Sequence, residues 1–183
     1  DTEYSYILFF GLIRKYKGLD LLIKAFAHKQ FRNSKIKLII AGEYYSDKDE
    51  YTNLIKKYSL ENEVIQVDQF IPNSEVQYYF NACDLVVQPY KTATQSGVTQ
   101  IAYHFNKPMI VTNVGGLEKM CPNEKVGYVV STNPDDIADS IFRFFNDTDK
   151  PKMINNIIEE KRKYSWKILT QNMQLLYEKI LEN

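Results

Sequence analysis

The sequence predicts an α/β fold: a Rossmann-like, doubly wound parallel sheet of about six strands, helices on both faces, and a C-terminal helical tail. Three observations carry that expectation. Short apolar runs alternate with helical patterns along the chain. The runs are continuously apolar, as in strands buried on both faces. The first two close on glycine, where a strand turns toward the next helix.

In chain order, YILFFG (6–11) is the first strand and LDLLIKAFAHK (19–29) the first amphipathic helix. IKLIIAG (36–42) is the second strand, followed by a helix with a charged face over 47–60. EVIQVD (63–68) leads to NSEVQYYFNAC (73–83), a helix with Asn73 or Ser74 as its expected N-cap. DLVVQP (84–89) is a strand whose Pro89 falls at the end, where a missing N–H does no harm. The stretch 89–116 then opens as a polar loop, turns helical, and becomes the strand KPMIVTN (107–113) before Gly115 and Gly116. GYVVS (127–131) is the last strand. NPDDIADSIFRFFND (133–147) is a helix with acids in the first turn, where the helix dipole favours them. A charged helical tail runs from about 151 to 182, with Trp166 expected to pack.

At 183 residues, 44% of them hydrophobic and 25% charged, the chain suits one globular domain with its own core. Lys+Arg and Asp+Glu are both 23, so nothing electrostatic favours nucleic acid or an anionic membrane. Only four of the cations are Arg, which argues against extensive bidentate phosphate recognition. Cys83 and Cys121 lack CxxC spacing and fit core thiols in a reducing, cytoplasmic setting better than a zinc site. No run is long and apolar enough for a bilayer span. A chain beginning at Asp1 without Met is expected to be a piece of a longer protein.

Chemistry is expected at the carboxyl ends of the strands, near the topological switch point. After the first strand, Gly11, Arg14, Lys17 and Gly18 form a loop with two cations and two glycines, suited to wrapping phosphate. It is neither GxGxxG nor a Walker loop, and by itself it reads equally well as a solvated basic turn. After the fourth strand, Thr94, Gln95, Ser96 and Gly97 fall where helix amides would be unpaired. Those amides could hold a phosphate or a sugar hydroxyl, or Thr94 or Ser96 could simply cap the helix. The glycine pair 115–116 could shape a third site element or only a turn.

Taken together, FFGLIRKYKGLDLLIKAF, KLIIAGE, FIPNSEVQYYFNACDLVVQPY, QIAYHFNKPMIVTNVGG and VGYVVSTNPDDIADSI keep an order and spacing that is recognisable. Over about residues 5–146 the chain resembles the C-terminal, donor-binding domain of family 4 glycosyltransferases of the GT-B fold.

The resemblance implies that Lys17 is the phosphate-binding lysine. The companion arginine's position is Leu12, so Arg14, two residues on, is the expected substitute. The E-x7-E motif falls on Thr92 and Gln100: both acids are absent, although Gln100 can still hydrogen-bond a ribose diol. Ser96 and Gly97 match positions whose amides meet the diphosphate, and Phe70 and Ile71 match the loop framing the nucleobase. Lys119 stands where an acid is common, with Glu118 one position early.

On this reading Arg14 and Lys17 stabilise the leaving group. Gly11, Phe70, Ile71, Thr92, Thr94, Gln95, Ser96, Gly97 and Gln100 bind the donor. Residues 1–150 form the nucleotide-sugar domain, 151–183 the tail, and the acceptor domain lies in an absent N-terminal half. The implied activity is retaining hexosyl transfer from a UDP-, GDP- or ADP-linked sugar, without metal or cofactor, in a fragment inactive alone. The implied partners are that donor and the absent domain, through which a peripheral membrane contact could be made; nucleic acid is not among them. The alternatives are a non-catalytic nucleotide-sugar module and a nucleotide-sugar epimerase of the same architecture.

Overall fold

The protein's structure, a computed structural model, describes residues 3–45 and 47–181. Asp1 and the end of the expected tail, Glu182 and Asn183, lie outside the described residues.

Six parallel strands form one sheet: β1 (Ser5–Phe10), β2 (Ile36–Ala41), β3 (Val64–Val67), β4 (Leu85–Gln88), β5 (Met109–Thr112) and β6 (Gly127–Val130). Their spatial order is β3-β2-β1-β4-β5-β6. β4 and β5 are buried at every residue, whereas β3, at the edge, is largely exposed. The continuous apolar runs of the sequence belong to the strands covered on both faces.

The helices are α1 (Leu19–Phe26), α2 (Lys48–Lys57), α3 (Asn73–Ala82), α4 (Gly97–His104), α5 (Leu117–Met120), α6 (Pro134–Asn146), α7 (Lys150–Glu160) and α8 (Trp166–Leu181). With right-handed crossovers, this strand order places α1 and α2 on one face and the helices between β3 and β6 on the other. Phe10 bridges sheet and helix, its ring 5.1 Å from Phe80 of α3, which stacks at 5.4 Å on Phe105 at the end of α4. The doubly wound expectation holds.

Local details differ from the sequence reading. α1 ends at Phe26, since Ala27 closes it as the C-cap. α3 starts at Asn73 with Pro72 in the N-cap position; the Pro72 carbonyl accepts from Glu75 and Val76, so neither Asn73 nor Ser74 caps. α6 follows expectation: Asn133 accepts from the Asp135 amide, and Pro134 opens the helix. Cys83 caps α3 and does not lie in a strand, and Cys121 caps α5. Both are buried free thiols, and burial pushes each up to about 12.

The tail is two helices. α7 belongs to the core layer: Met153 and Ile157 are buried, and Glu160 pairs with Lys125 at 2.7 Å. In α8 the side chains of residues 166–180 are exposed. Trp166 is 81% exposed and does not pack as expected.

Candidate functional site

β1 and β4 are neighbours, with Ile7 opposite Leu85 and Leu8 opposite Val86. The chain leaves β1 toward one edge of the sheet and β4 toward the other. The crevice beyond their carboxyl ends is therefore the topological switch point, where an open parallel sheet binds ligands. Two loops meet there: 11–18 after β1 and 89–96 after β4.

In the first loop, a single 3-10 turn over Lys15–Lys17 folds Lys17 back toward the strand end. Lys17 is only 8% exposed. A Cβ built on Gly11 would lie 3.1 Å from its Nζ and 3.8 Å from Val98 Cγ2, so the ammonium and the first turn of α4 both lie close to Gly11. Among the described residues no carboxylate or other acceptor pairs with Nζ, which lies 5.8 Å from the centroid of the Tyr90 ring. Burial, and then the neighbouring Arg14 charge, pushes the amine down to about 8. A cation held out of water without a partner is costly, a cost that an anion at the switch point would offset. Arg14 stays exposed at the rim, its guanidinium 5.1 Å from the Tyr45 ring centroid.

The second loop is tied to the first. The Lys91 amide donates to the Tyr16 carbonyl at 2.7 Å, Lys91 Nζ meets Asp20 of α1 at 2.7 Å, and the Tyr16 and Tyr90 rings pack edge to face. Ser96 occupies the N-cap of α4 with the extended backbone of a capping serine, φ −137° and ψ 121°, yet makes no cap. Its hydroxyl donates instead to Gln88 Oε1 at 2.6 Å, and Thr99 donates to the same oxygen at 3.1 Å. The capping alternative is thereby set aside for Ser96. Gly97, the first residue of α4, is exposed, and a Cβ there would meet nothing within 4 Å. Thr92, Thr94 and Gln95 are exposed on the loop leading to it.

The glycine pair braces this loop. Gly116 donates to the Thr94 carbonyl at 3.1 Å, while a Cβ on Gly115, at φ +55°, would collide with the Ala93 carbonyl oxygen. The pair acts by close backbone approach.

Gln100 is exposed on α4 and lines a groove of about 550 Å³ between α3 and α4, opposite Asn73 and Val76. Asn73 directly follows the loop carrying Phe70 and Ile71. Phe70 is 66% exposed, whereas Ile71 is buried in the core. Gly11, Lys17, Ser96 and Gly97 thus gather at one point, with Arg14 at the rim and Phe70 and Gln100 further along toward α3. A separate cavity of about 470 Å³, lined by Phe26, Arg32, Tyr58 and Glu63, opens at the amino ends of β2 and β3. That is the end of a parallel sheet away from the ligand crevice. Among the described residues no group of three or more His, Cys, Asp or Glu could hold a metal ion.

Sequence reasoning passed over Gln88, Tyr90 and Asp20. The signal for Gln88 was present: an amide ending an otherwise apolar buried strand needs partners, and here it has two hydroxyls.

A buried cation beside an open helix N-terminus, at the switch point of a doubly wound sheet, is an arrangement suited to an anionic group such as a phosphate. The sequence pattern of the family described as glycosyl transferases group 1 matches residues 1–164, and the chain belongs to that family.

Among its relatives, an uncharacterized glycosyltransferase of Methanocaldococcus jannaschii is 27% identical over 98% of this chain and 50% of its own length. A D-inositol 3-phosphate glycosyltransferase of Corynebacterium aurimucosum is 25% identical over 93% of this chain and 42% of its own. The chain therefore spans about half the length of the curated relatives it matches. Among solved structures, sucrose-phosphate synthase of Thermosynechococcus elongatus superposes with a TM-score of 0.83 at 22% identity, covering 100% of this chain and 47% of that one. Anabaena HepE in complex with UDP-glucose gives 0.77 at 21% identity, covering 98% and 49%. These likenesses show the shared GT-B fold.

Proposed function

We propose that the chain is the C-terminal, nucleotide-sugar-binding half of a retaining family 4 glycosyltransferase, a hexosyltransferase whose acceptor site lies in another part of the protein. The observation that carries this reading is Lys17, a buried ammonium without an anionic partner, which lies close to Gly11, as does the first turn of an uncapped helix.

The chemistry follows from that placement. When the bond between the anomeric carbon and the β-phosphate oxygen breaks, negative charge collects on the leaving diphosphate. Lys17, the amides of Ser96 and Gly97, and Arg14 at the rim are disposed to meet it. Preorganised charge of this kind is a large catalytic contribution. Phe70 offers a face to the nucleobase, and Gln100 offers an amide to the ribose. The UDP-glucose bound to Anabaena HepE and the names of the curated relatives support a nucleotide-sugar donor.

Thr92 and Gln100, neutral where the resembled family carries acids, favour a second reading in which the site binds the donor without turnover. Activity of the intact protein separates the two. The test of the first reading is calorimetry of this chain with UDP, GDP and ADP in EDTA. Binding of at least one at submillimolar to millimolar concentration is expected; no heat with any of the three contradicts it.

A further inference from the structure

We propose that Gln88 is a positioning residue for the diphosphate site: its hydrogen bond from Ser96 fixes the hydroxyl in an orientation that does not cap α4, which leaves the first amides of the helix open to an anion. The proposal rests on the donor-site reading above and deepens it.

A serine at an N-cap with extended backbone ordinarily turns its Oγ to accept an amide of the first turn. Ser96 has the position and the dihedrals but not the bond. Its single proton goes to Gln88 Oε1 at 2.6 Å. In the 3.3 Å contact between Tyr90 and Ser96 the phenol must then be the donor. Burial pushes Tyr90 up to about 12, so the phenol keeps that proton throughout the neutral range.

Thr99 fills the remaining acceptor position on Gln88 from one turn further along α4. Gln88, Tyr90, Ser96 and Thr99 are all buried, so breaking one bond leaves an unpaired group out of water, and the arrangement holds as a unit. Tyr90 also lies beneath Lys17, which links the orientation of Ser96 to the seat of the cation. Above the turned-away hydroxyl, the position at Gly97 is open. The local rule that a serine caps its helix is broken here, and the structure identifies what breaks it.

The test is a pair of variants titrated calorimetrically with UDP, or with GDP or ADP where that nucleotide binds the unaltered chain more tightly. Gln88→Leu frees Ser96 to cap α4 and compete with the diphosphate; binding should weaken about three- to tenfold. Gln88→Leu/Ser96→Ala cannot form that cap, so binding should return toward that of the unaltered chain. A residue with a merely structural role gives no such recovery, and a double variant as weak as the single one overturns the proposal.

Should Gln88→Leu fail to fold, amide hydrogen exchange on the unaltered chain decides the matter. Rapid exchange at Val98 and Thr99 without nucleotide, slowed when UDP is added, is expected; slow exchange without nucleotide overturns the proposal. If the unaltered chain binds none of the three nucleotides, the donor-site reading itself falls and this proposal falls with it. If it binds and Gln88→Leu binds equally well, only the role of Gln88 is lost.

Discussion

The burial of the Lys17 ammonium costs stability. Unfolded, its amine titrates at the ordinary 10.5; folded, burial and Arg14 bring it to about 8. Below pH 8 both states carry the charge, and the folded state bears the full cost of burying it. Between 8 and 10.5 the unfolded state holds more protons, so stability rises with pH across that window. Lys17→Met should raise Tm, by roughly 2–4 °C for each kcal/mol of burial cost relieved. The same change should weaken diphosphate binding by about 1.5–3 kcal/mol, the usual worth of a charge-assisted hydrogen bond. A fall in both quantities would mean the lysine is structural. Arg14 is exposed beside Tyr45, and Arg14→Ala should weaken binding by no more than about 1 kcal/mol, as for an exposed ion pair. At Gln100 the sharper test is Gln100→Leu, which should weaken a ribonucleotide while leaving its 2′,3′-dideoxy analogue nearly unaffected; equal losses remove the ribose contact.

At the scale of the elements, the parts farthest apart in sequence make the site. The 92–96 loop is held from below by the β5–α5 turn. Gly115→Ala would set a Cβ into the Ala93 carbonyl oxygen at a backbone conformation alanine resists. The expected result is a loss of about 1–3 kcal/mol in denaturant unfolding, with nucleotide binding reduced because α4 shifts. The strands, their parallel arrangement and the cation-bearing loop after β1 were legible in the sequence, from continuous apolar runs, helix periodicity and the glycines and cations between the first strand and helix. Other features were not legible. Ser96 met every sequence rule for a cap, and what overrides it is Gln88, eight residues earlier, brought close only when β4 and α4 fold together. Ile71 was placed among the ligand contacts by the family resemblance, but its side chain found the core. The tail read only as helical and charged, yet α7 buries Met153 and Ile157 while residues 166–180 of α8 stay exposed. Truncation after Ser165 should therefore leave the Tm of the sheet domain almost unchanged.

At the scale of the whole molecule, a sheet order, a buried cation and an open helix end meet in one candidate anion site. Each feature has an ordinary structural explanation alone; their meeting at the switch point does not. The central claim is that the diphosphate is the absent partner of Lys17, and proton linkage measures it directly. At pH 8 the free amine is about half protonated, whereas UDP has already lost its phosphate protons. Binding should therefore draw the amine to full charge. Calorimetry with UDP at pH 8, repeated in buffers of different ionisation enthalpy, should report an uptake of roughly half a proton per site. Lys17→Met should abolish that uptake. Binding with no proton uptake, or with the same uptake in Lys17→Met, would contradict the account.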